Sequence, residues 1–256
     1  MKTAMLVLCA AATWGQPPGP PQPPRPPKAA APVDLAGYWV SVVSEDWRWR
    51  MVTPLKGDFA SIPVTAEARK VGETWDPAKD EAAGLQCKAY GAPAIMRMPG
   101  RVHITWQDDY TLKVETDQGQ QTRLFHFAGG AQTGAAGQPG WQGYSVAYWE
   151  RPPQGVERPD PFPIFASRDG TRGRSLEVVT TNLRAGYLRK NGVPYSANAV
   201  VEEYYDYHKE RNGEEWFTVT TIVKDSLYLT GPWITSSDFK KEPNGSRFDP
   251  APCSAR

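Results

Sequence analysis

Apolar and polar residues alternate along most of the chain after residue 33, and this period of two is typical of half-buried β-strands. The clearest unit is a three-stranded meander over residues 101–106, 111–116 and 121–127, with turn-forming residues between the strands. Other segments with the same alternation predict further strands: residues 33–43, 46–52, 142–150, 175–182, 199–209, 215–224 and 232–239. The hydrophobic pattern therefore predicts an all-β chain.

Residues 46–75 contain the least regular part of this pattern. From residue 46 to 52 the chain alternates strictly, which predicts a strand with Trp47, Trp49 and Met51 on one face and two arginines on the other. Thr65 is a typical N-cap, and it predicts a helix over residues 66–75. Because about nine strands and one short helix are joined mostly by short turns, we expect an all-β fold with minor α content. The alternatives are an antiparallel up-and-down barrel and a two-sheet sandwich.

The first 32 residues do not have the composition of a folded domain. Residues 1–15 carry Lys2, a short apolar stretch and small residues, which together predict a cleaved signal peptide. Residues 16–32 are about half proline, and such a segment predicts an extended linker that holds the domain away from a surface. We therefore divide the chain into a signal peptide (1–15), a linker (16–32) and one β-rich domain (33–256), and we expect a periplasmic or secreted protein.

Charge and cysteine content narrow the classes of partner. Lys plus Arg number 29 and Asp plus Glu number 28, so the chain as a whole lacks the basic excess expected for binding nucleic acid or an acidic membrane surface. No apolar run approaches the roughly 20 residues that a membrane-spanning helix needs. Cys87 and Cys253 remain after the signal peptide, and in an oxidising compartment this pair is a candidate disulfide; two unrelated thiols are the alternative.

The sequence contains no linear motif that specifies a reaction, a metal or a cofactor, and we expect neither metal nor cofactor. Histidines on strands of a barrel can pair with carboxylates for acid–base chemistry, and an arginine can hold a planar anion. The candidate catalytic residues on this basis are His103, His126, Arg123, Glu115 and Glu202. If their faces look outward to water, these residues instead form an ordinary polar surface.

Aromatic residues are the most unusual feature of the composition, with ten tryptophans and eleven tyrosines. Their rings suit either a large β core or a cavity that stacks on an apolar or aromatic molecule. As ligand-binding candidates we take Trp106, Trp149, Tyr204 and Arg101.

At Gly37-Tyr38-Trp39 the chain resembles the first strand of lipocalin-type (calycin) barrels. Over most of its length it also resembles a set of uncharacterised secreted bacterial proteins of similar size. The stretches that carry this second resemblance are residues 34–39, 107–109, 122–123, 178–182, 191–196 and 232–233. The resemblance implies an exported protein with a β-barrel-like fold, and it assigns no catalytic residue.

Three functional hypotheses remain on the sequence alone. The first is an exported protein that binds a hydrophobic or aromatic small molecule in the mouth of a lipocalin-like barrel. The second is a cofactor-free lyase, isomerase or hydrolase on the same scaffold, using the histidines and carboxylates above. The third is a surface structural or assembly protein, associated with the cell surface through its proline-rich linker.

Overall fold

The computed structural model describes residues 25–130, 137–150 and 175–256. The predicted signal peptide and residues 16–24 of the predicted linker lie outside the described residues. Nine strands form a closed barrel, which decides between the barrel and the sandwich. In chain order the first five are β1 (Gly37–Val42), β2 (Arg101–Trp106), β3 (Thr111–Thr116), β4 (Thr122–Phe127) and β5 (Tyr144–Trp149).

A short sheet interrupts the order of the barrel strands. After β6 (Ser175–Thr181), the strands β7 (Gly186–Tyr187) and β8 (Pro194–Tyr195) form a separate two-stranded hairpin. The barrel then continues with β9 (Val200–Lys209), β10 (Glu215–Lys224) and β11 (Trp233–Glu242), and β11 pairs with β1 to close it. All barrel pairs are antiparallel except β4–β5, which is parallel. A closed ring with nine strands requires such an exception, because alternating directions around a ring need an even number.

The barrel interior is filled by side chains. Inward positions on every strand are almost fully buried, among them Trp39, Val114, Phe125, Leu176 and Phe217. On β2, β3 and β4 they fall on the alternating positions that the hydrophobic pattern predicts. Close packing of this kind stabilises the fold through burial of apolar area.

The two ends of the barrel are covered differently. At the end where β1 begins, Val33 and Leu35 enter the core, and Trp39 Nε1 donates to the carbonyl of Leu35. Residues 25–32, assigned above to the linker, also contact this end, because Trp149 Nε1 donates to the carbonyl of Pro27. We call this the linker end. The connections 43–100, 182–199 and 225–232 all lie at the opposite end, which we call the helical end.

The helical end contains short helices with their own apolar core. They are α1 (Trp47–Arg50), α2 (Ala66–Glu73), α3 (Pro77–Ala82), a 3-10 helix (Gln86–Tyr90) and α4 (Ala92–Ile95). Thr65 caps α2 as predicted, accepting from Ala68 N at 3.1 Å. The sequence predicted only one helix, so it missed the other three short α-helices and the 3-10 helix. Within the described residues, no helix is long and apolar enough to cross a membrane.

The strand predicted over residues 46–52 is wrong. Asp46 has a positive φ of 51°, and residues 47–50 form one turn of helix. The burial is also the reverse of the expected one, since Trp47 is 67% exposed and Arg50 is buried. Six or seven residues are too few for periodicity to separate a strand from a helical turn, and contacts with distant segments decide the local structure here.

A disulfide between Cys87 and Cys253 joins the C-terminal tail to the 3-10 helix, as the cysteine count predicted. After β11 the tail crosses the outside of the barrel from the linker end to the helical end. On the way Phe248 packs against Tyr38, and Ala251 N donates to the carbonyl of Asp117. The disulfide therefore holds the tail across the barrel wall.

One ion pair lies inside the apolar barrel. Arg123 and Glu203 are both fully buried and form a bidentate pair, with Nη1–Oε1 at 2.9 Å and Nη2–Oε2 at 2.5 Å. Thr180 accepts from Nη2 at 3.2 Å, and the Tyr205 hydroxyl donates to Glu203 at 3.3 Å. Burial alone would lower the pKa of Arg123, but the adjacent Glu203 carboxylate raises it above the ordinary value. Arg123 therefore stays charged beside Glu203.

Removing one partner of this pair should be costly. Arg123→Met leaves the Glu203 carboxylate buried without a counter-ion, which we expect to lower the free energy of unfolding by about 3–5 kcal/mol. The double variant Arg123→Met/Glu203→Leu should recover more than half of that loss. Urea denaturation followed by tryptophan fluorescence measures both. The control is Arg101→Met, which removes a partly exposed pair with Glu242 and should cost about 1 kcal/mol or less. Equal losses for Arg123→Met and Arg101→Met would contradict this account.

The disulfide should contribute strongly because its cysteines are 166 residues apart. Loop-closure entropy for such a separation corresponds to about 3–5 kcal/mol of unfolding free energy. We expect reductant to lower the urea midpoint of the natural chain and to leave that of Cys87→Ala/Cys253→Ala unchanged. A midpoint that does not respond to reductant in the natural chain, once alkylation has shown the bond to be reduced, would disprove the contribution.

Candidate functional site

A cavity of about 260 Å³ opens at the helical end of the barrel. Four stretches that are distant in sequence line it: α1 with the loop after it (49–54), residues 89–99 from the 3-10 helix to just beyond α4, the β3–β4 turn at Gln118, and residues 188–190 of the β7–β8 hairpin. Its volume lies near the lower limit of typical small-molecule sites, which begin at roughly 300 Å³. It therefore has room for a small molecule or for one end of a larger one.

Basic side chains dominate the lining of this cavity. Arg50, Arg97, Arg189 and Lys190 line it, and no acidic residue is among the described residues that do so. The three arginines are each less than 10% exposed. Charged groups are rarely buried without a partner, because loss of hydration costs free energy. The cavity therefore carries uncompensated positive charge unless these arginines have anionic partners elsewhere.

Two of the arginines have a carboxylate partner outside the cavity. Arg50 Nη1 lies 2.6 Å from Glu45 Oε1, and Arg97 Nη2 lies 3.0 Å from Asp46 Oδ2. Arg50 Nε also donates to the carbonyl of Arg97, which ties α1 to the end of α4. Nη1 of Arg97 has no hydrogen-bond partner among the described residues.

Arg189 is the least compensated of the three. Its Nη1 donates to the carbonyl of Ala60 at 2.7 Å, while its Nε and Nη2 have no partner among the described residues. Within that part of the chain no carboxylate lies at ion-pair distance from it. Burial and the neighbouring Arg97 guanidinium lower the pKa of Arg189 to about 10. An anion bound next to this guanidinium would offset the free energy that is lost when the charged group is buried away from water.

Tryptophan rings hold the two arginines in place. The Arg189 guanidinium lies 5.1 Å from the Trp49 ring centre and 6.0 Å from that of Trp233, and Arg97 lies 5.1 Å from Trp233. Such cation–π contacts offset part of the lost hydration. They also leave an aromatic wall beside the positive charge.

The β7–β8 hairpin positions Arg189. Gly192 has a φ of +85°, and a Cβ there would lie 2.3 Å from Trp75, so both the turn and the close approach require glycine. Next to it, the buried Asn191 side chain donates to the carbonyls of Leu55 and Asp58. The hairpin thus fixes Arg189 and the loop after α1 at the same time.

The residues predicted to be catalytic lie elsewhere and are mostly apart. His103 Nδ1 is 3.4 Å from Glu115 Oε2, but this pair is on the outer face of the barrel, where His103 stacks on Tyr38 at 4.0 Å. His126 stacks on Tyr144 at 5.0 Å, and burial lowers its pKa.

The other two candidates point to different surroundings. Arg123 is inside the barrel, and Glu202 binds Lys224 on the outer face of β9. Only His103 and Glu115 are therefore brought together, and their catalytic role stays a prediction.

The predicted ligand-binding residues are distributed over the barrel wall and the linker end. Trp106 and Trp149 both pack on Phe127 at the linker end, at 5.5 and 5.7 Å between ring centres. Tyr204 pairs with Glu177 in register on the outer face, and Arg101 binds Glu242. None of the four lines the cavity at the helical end.

Sequence reasoning missed the residues that do line it, Arg97, Arg189 and Tyr90 above all. One signal was present in the sequence, because Trp47-Arg48-Trp49-Arg50 combines aromatic and basic residues in a short run. Its meaning depended on contacts with residues about 50 and 140 positions away.

Comparisons with protein-family models, with curated proteins and with solved structures found no match. A group of three or more metal-ligating side chains is also absent from the described residues. The site therefore has to be interpreted from its own geometry and charge.

Proposed function

We propose that this chain is an exported binding protein for a small organic anion with an aromatic or apolar part. The observation that carries the proposal is the cavity at the helical end, lined by four basic side chains and by no described acidic one. A carboxylate or phosphate there would accept hydrogen bonds from the incompletely paired guanidinium groups of Arg97 and Arg189. Guanidinium groups suit these planar or multi-oxygen anions.

The apolar part of the ligand is inferred from the rest of the lining. Trp49, Tyr90, Met98 and Leu188 form much of the wall, so the cavity offers flat and flexible apolar contacts beside the cations. This keeps the aromatic or hydrophobic ligand class expected from the composition and adds a negative charge to it. We place the ligand at the helical end because the inward side chains of the barrel are buried against one another.

Export is supported by the disulfide. Disulfides persist in oxidising compartments and are rare in reducing ones, and Cys87 and Cys253 are bonded. Together with the leader-like residues 1–15, this favours a periplasmic or secreted location.

The binding proposal predicts a charge-selective ligand preference. We expect 2-naphthoate to bind the purified chain, and neutral 2-naphthylmethanol to bind at least tenfold more weakly, since a charge-assisted hydrogen bond contributes about 1.5–3 kcal/mol. Isothermal titration calorimetry measures both affinities. Arg189→Gln should lower the affinity for 2-naphthoate by about tenfold or more and leave the affinity for the alcohol nearly unchanged.

Arg184→Gln is the matched control, because Arg184 is on the same connection but is exposed and outside the cavity. Circular dichroism and thermal melting establish that both variants fold. Equal affinity for naphthoate and the alcohol, or equal effects of the two substitutions, would reject the anion site.

The export proposal predicts processing at the N-terminus. The protein recovered from its own host should begin between residues 13 and 16, and its mass should show no alkylatable thiol before reduction. Intact-mass spectrometry tests both points. A recovered chain that still begins at Met1 would contradict export by a cleaved signal peptide.

A further inference from the structure

Exposed apolar side chains are concentrated on one loop at the helical end. Of eight large hydrophobic residues that are exposed in the described parts of the chain, four lie between residues 47 and 55. They are Trp47 (67% exposed), Met51 (59%), Val52 (64%) and Leu55 (82%). We call residues 47–57 the apolar loop. Clusters of this kind on a protein surface mark interaction sites more often than isolated exposed residues do.

The apolar loop is also positively charged. It contains Arg48, Arg50 and Lys56 and no acidic residue. Arg48 has a side chain that is 71% exposed, and Lys56 is exposed as well. The outward face of the loop therefore combines apolar tips with basic groups.

Acidic residues next to the loop are engaged by arginines. Glu45 binds Arg50 and Asp46 binds Arg97. Asp58 accepts from Trp49 Nε1 at 3.2 Å and lies 3.8 Å from Arg48. These contacts leave the positive charge of Lys56, and most of that of Arg48, facing outward.

The loop is held firmly from behind. Asn191, which is fully buried, donates to the carbonyls of Leu55 and Asp58, and Arg189 donates to that of Ala60. A loop fixed in this way loses little conformational entropy on binding. Its exposed side chains are therefore presented as a preformed surface.

We propose that the apolar loop docks the protein on an anionic lipid bilayer. Tryptophan and aliphatic tips enter the boundary between headgroups and acyl chains, and Arg48 and Lys56 contact lipid phosphates. Trp47, Val52 and Leu55 line an open concavity of about 560 Å³ together with Arg48 and Lys56, and Asp58 is the one acidic residue among the described residues of its lining. This arrangement of apolar and basic groups on one surface complements the acyl chains and the anionic headgroups of a bilayer. In this position the mouth of the arginine cavity, which shares Val52 and Pro54 with the loop, faces the membrane.

The test is flotation of the full folded chain with vesicles of phosphatidylcholine, with and without phosphatidylglycerol. We expect binding to the anionic vesicles, weakening as salt is raised, and little binding to phosphatidylcholine alone. Trp47→Ser/Leu55→Ser should reduce partitioning at least tenfold through the lost apolar burial. Arg48→Gln/Lys56→Gln should also reduce it about tenfold and remove the salt dependence.

Val146→Ser/Tyr148→Ser is the matched control, since it replaces an exposed aliphatic and an exposed aromatic residue on the barrel wall. It should bind vesicles like the natural chain, and thermal melting shows that all variants fold. The proposal is overturned if anionic vesicles are not bound, or if the loop and wall variants lose binding equally. It is also overturned if the natural chain does not bind vesicles but self-associates in sedimentation, and the loop variants abolish this self-association. The occupant of the apolar loop is then a second copy of the chain.

Discussion

Dense packing inside the closed barrel is the constraint on which the rest of the structure depends. Nine strands enclose an interior whose side chains, from Trp39 to Phe239, are almost fully buried. The Arg123–Glu203 pair lies within this interior, with the two side chains bonded to each other. A buried pair tolerates little displacement, because each charge depends on its partner. The interior therefore contributes to the stability of the fold.

The helical end differs from the interior in how its charges are compensated. Inside the barrel one arginine meets one glutamate, whereas at the helical end three buried arginines share two direct carboxylate partners, Glu45 and Asp46. The third positive charge has no direct carboxylate partner, and Trp49 and Trp233 offset part of its desolvation cost by contact with the guanidinium faces. Arg97 and Arg189 still have nitrogens without a hydrogen-bond partner among the described residues, and these are the remainder of the uncompensated charge. The proposed anionic ligand would compensate for that remainder.

Much of the fold could be predicted from local pattern. The meander, the hairpin from β9 to β10 and the position of Arg123 on the same strand face as Phe125 follow from alternation and turn residues. The disulfide follows from the even number of cysteines that remain after the predicted signal peptide. The helical turn at residues 47–50 could not be predicted, since Asp46 and Arg50 take their positions from Arg97 and Glu45, not from periodicity. Arg189 was missed because a basic residue beside a turn is usually exposed, and only the assembled end of the barrel buries it.

The central claim, an anion site at Arg97 and Arg189, is tested most directly by nuclear magnetic resonance of the arginine side chains. The measurement follows the Nε–H resonances of all arginines during titration with 2-naphthoate. The account predicts saturable shifts for Arg189 and Arg97 at one common affinity, while Arg123, sealed in the barrel, does not move. Shifts confined to exposed arginines such as Arg48 and Arg184, or no saturable shift at all, would contradict it.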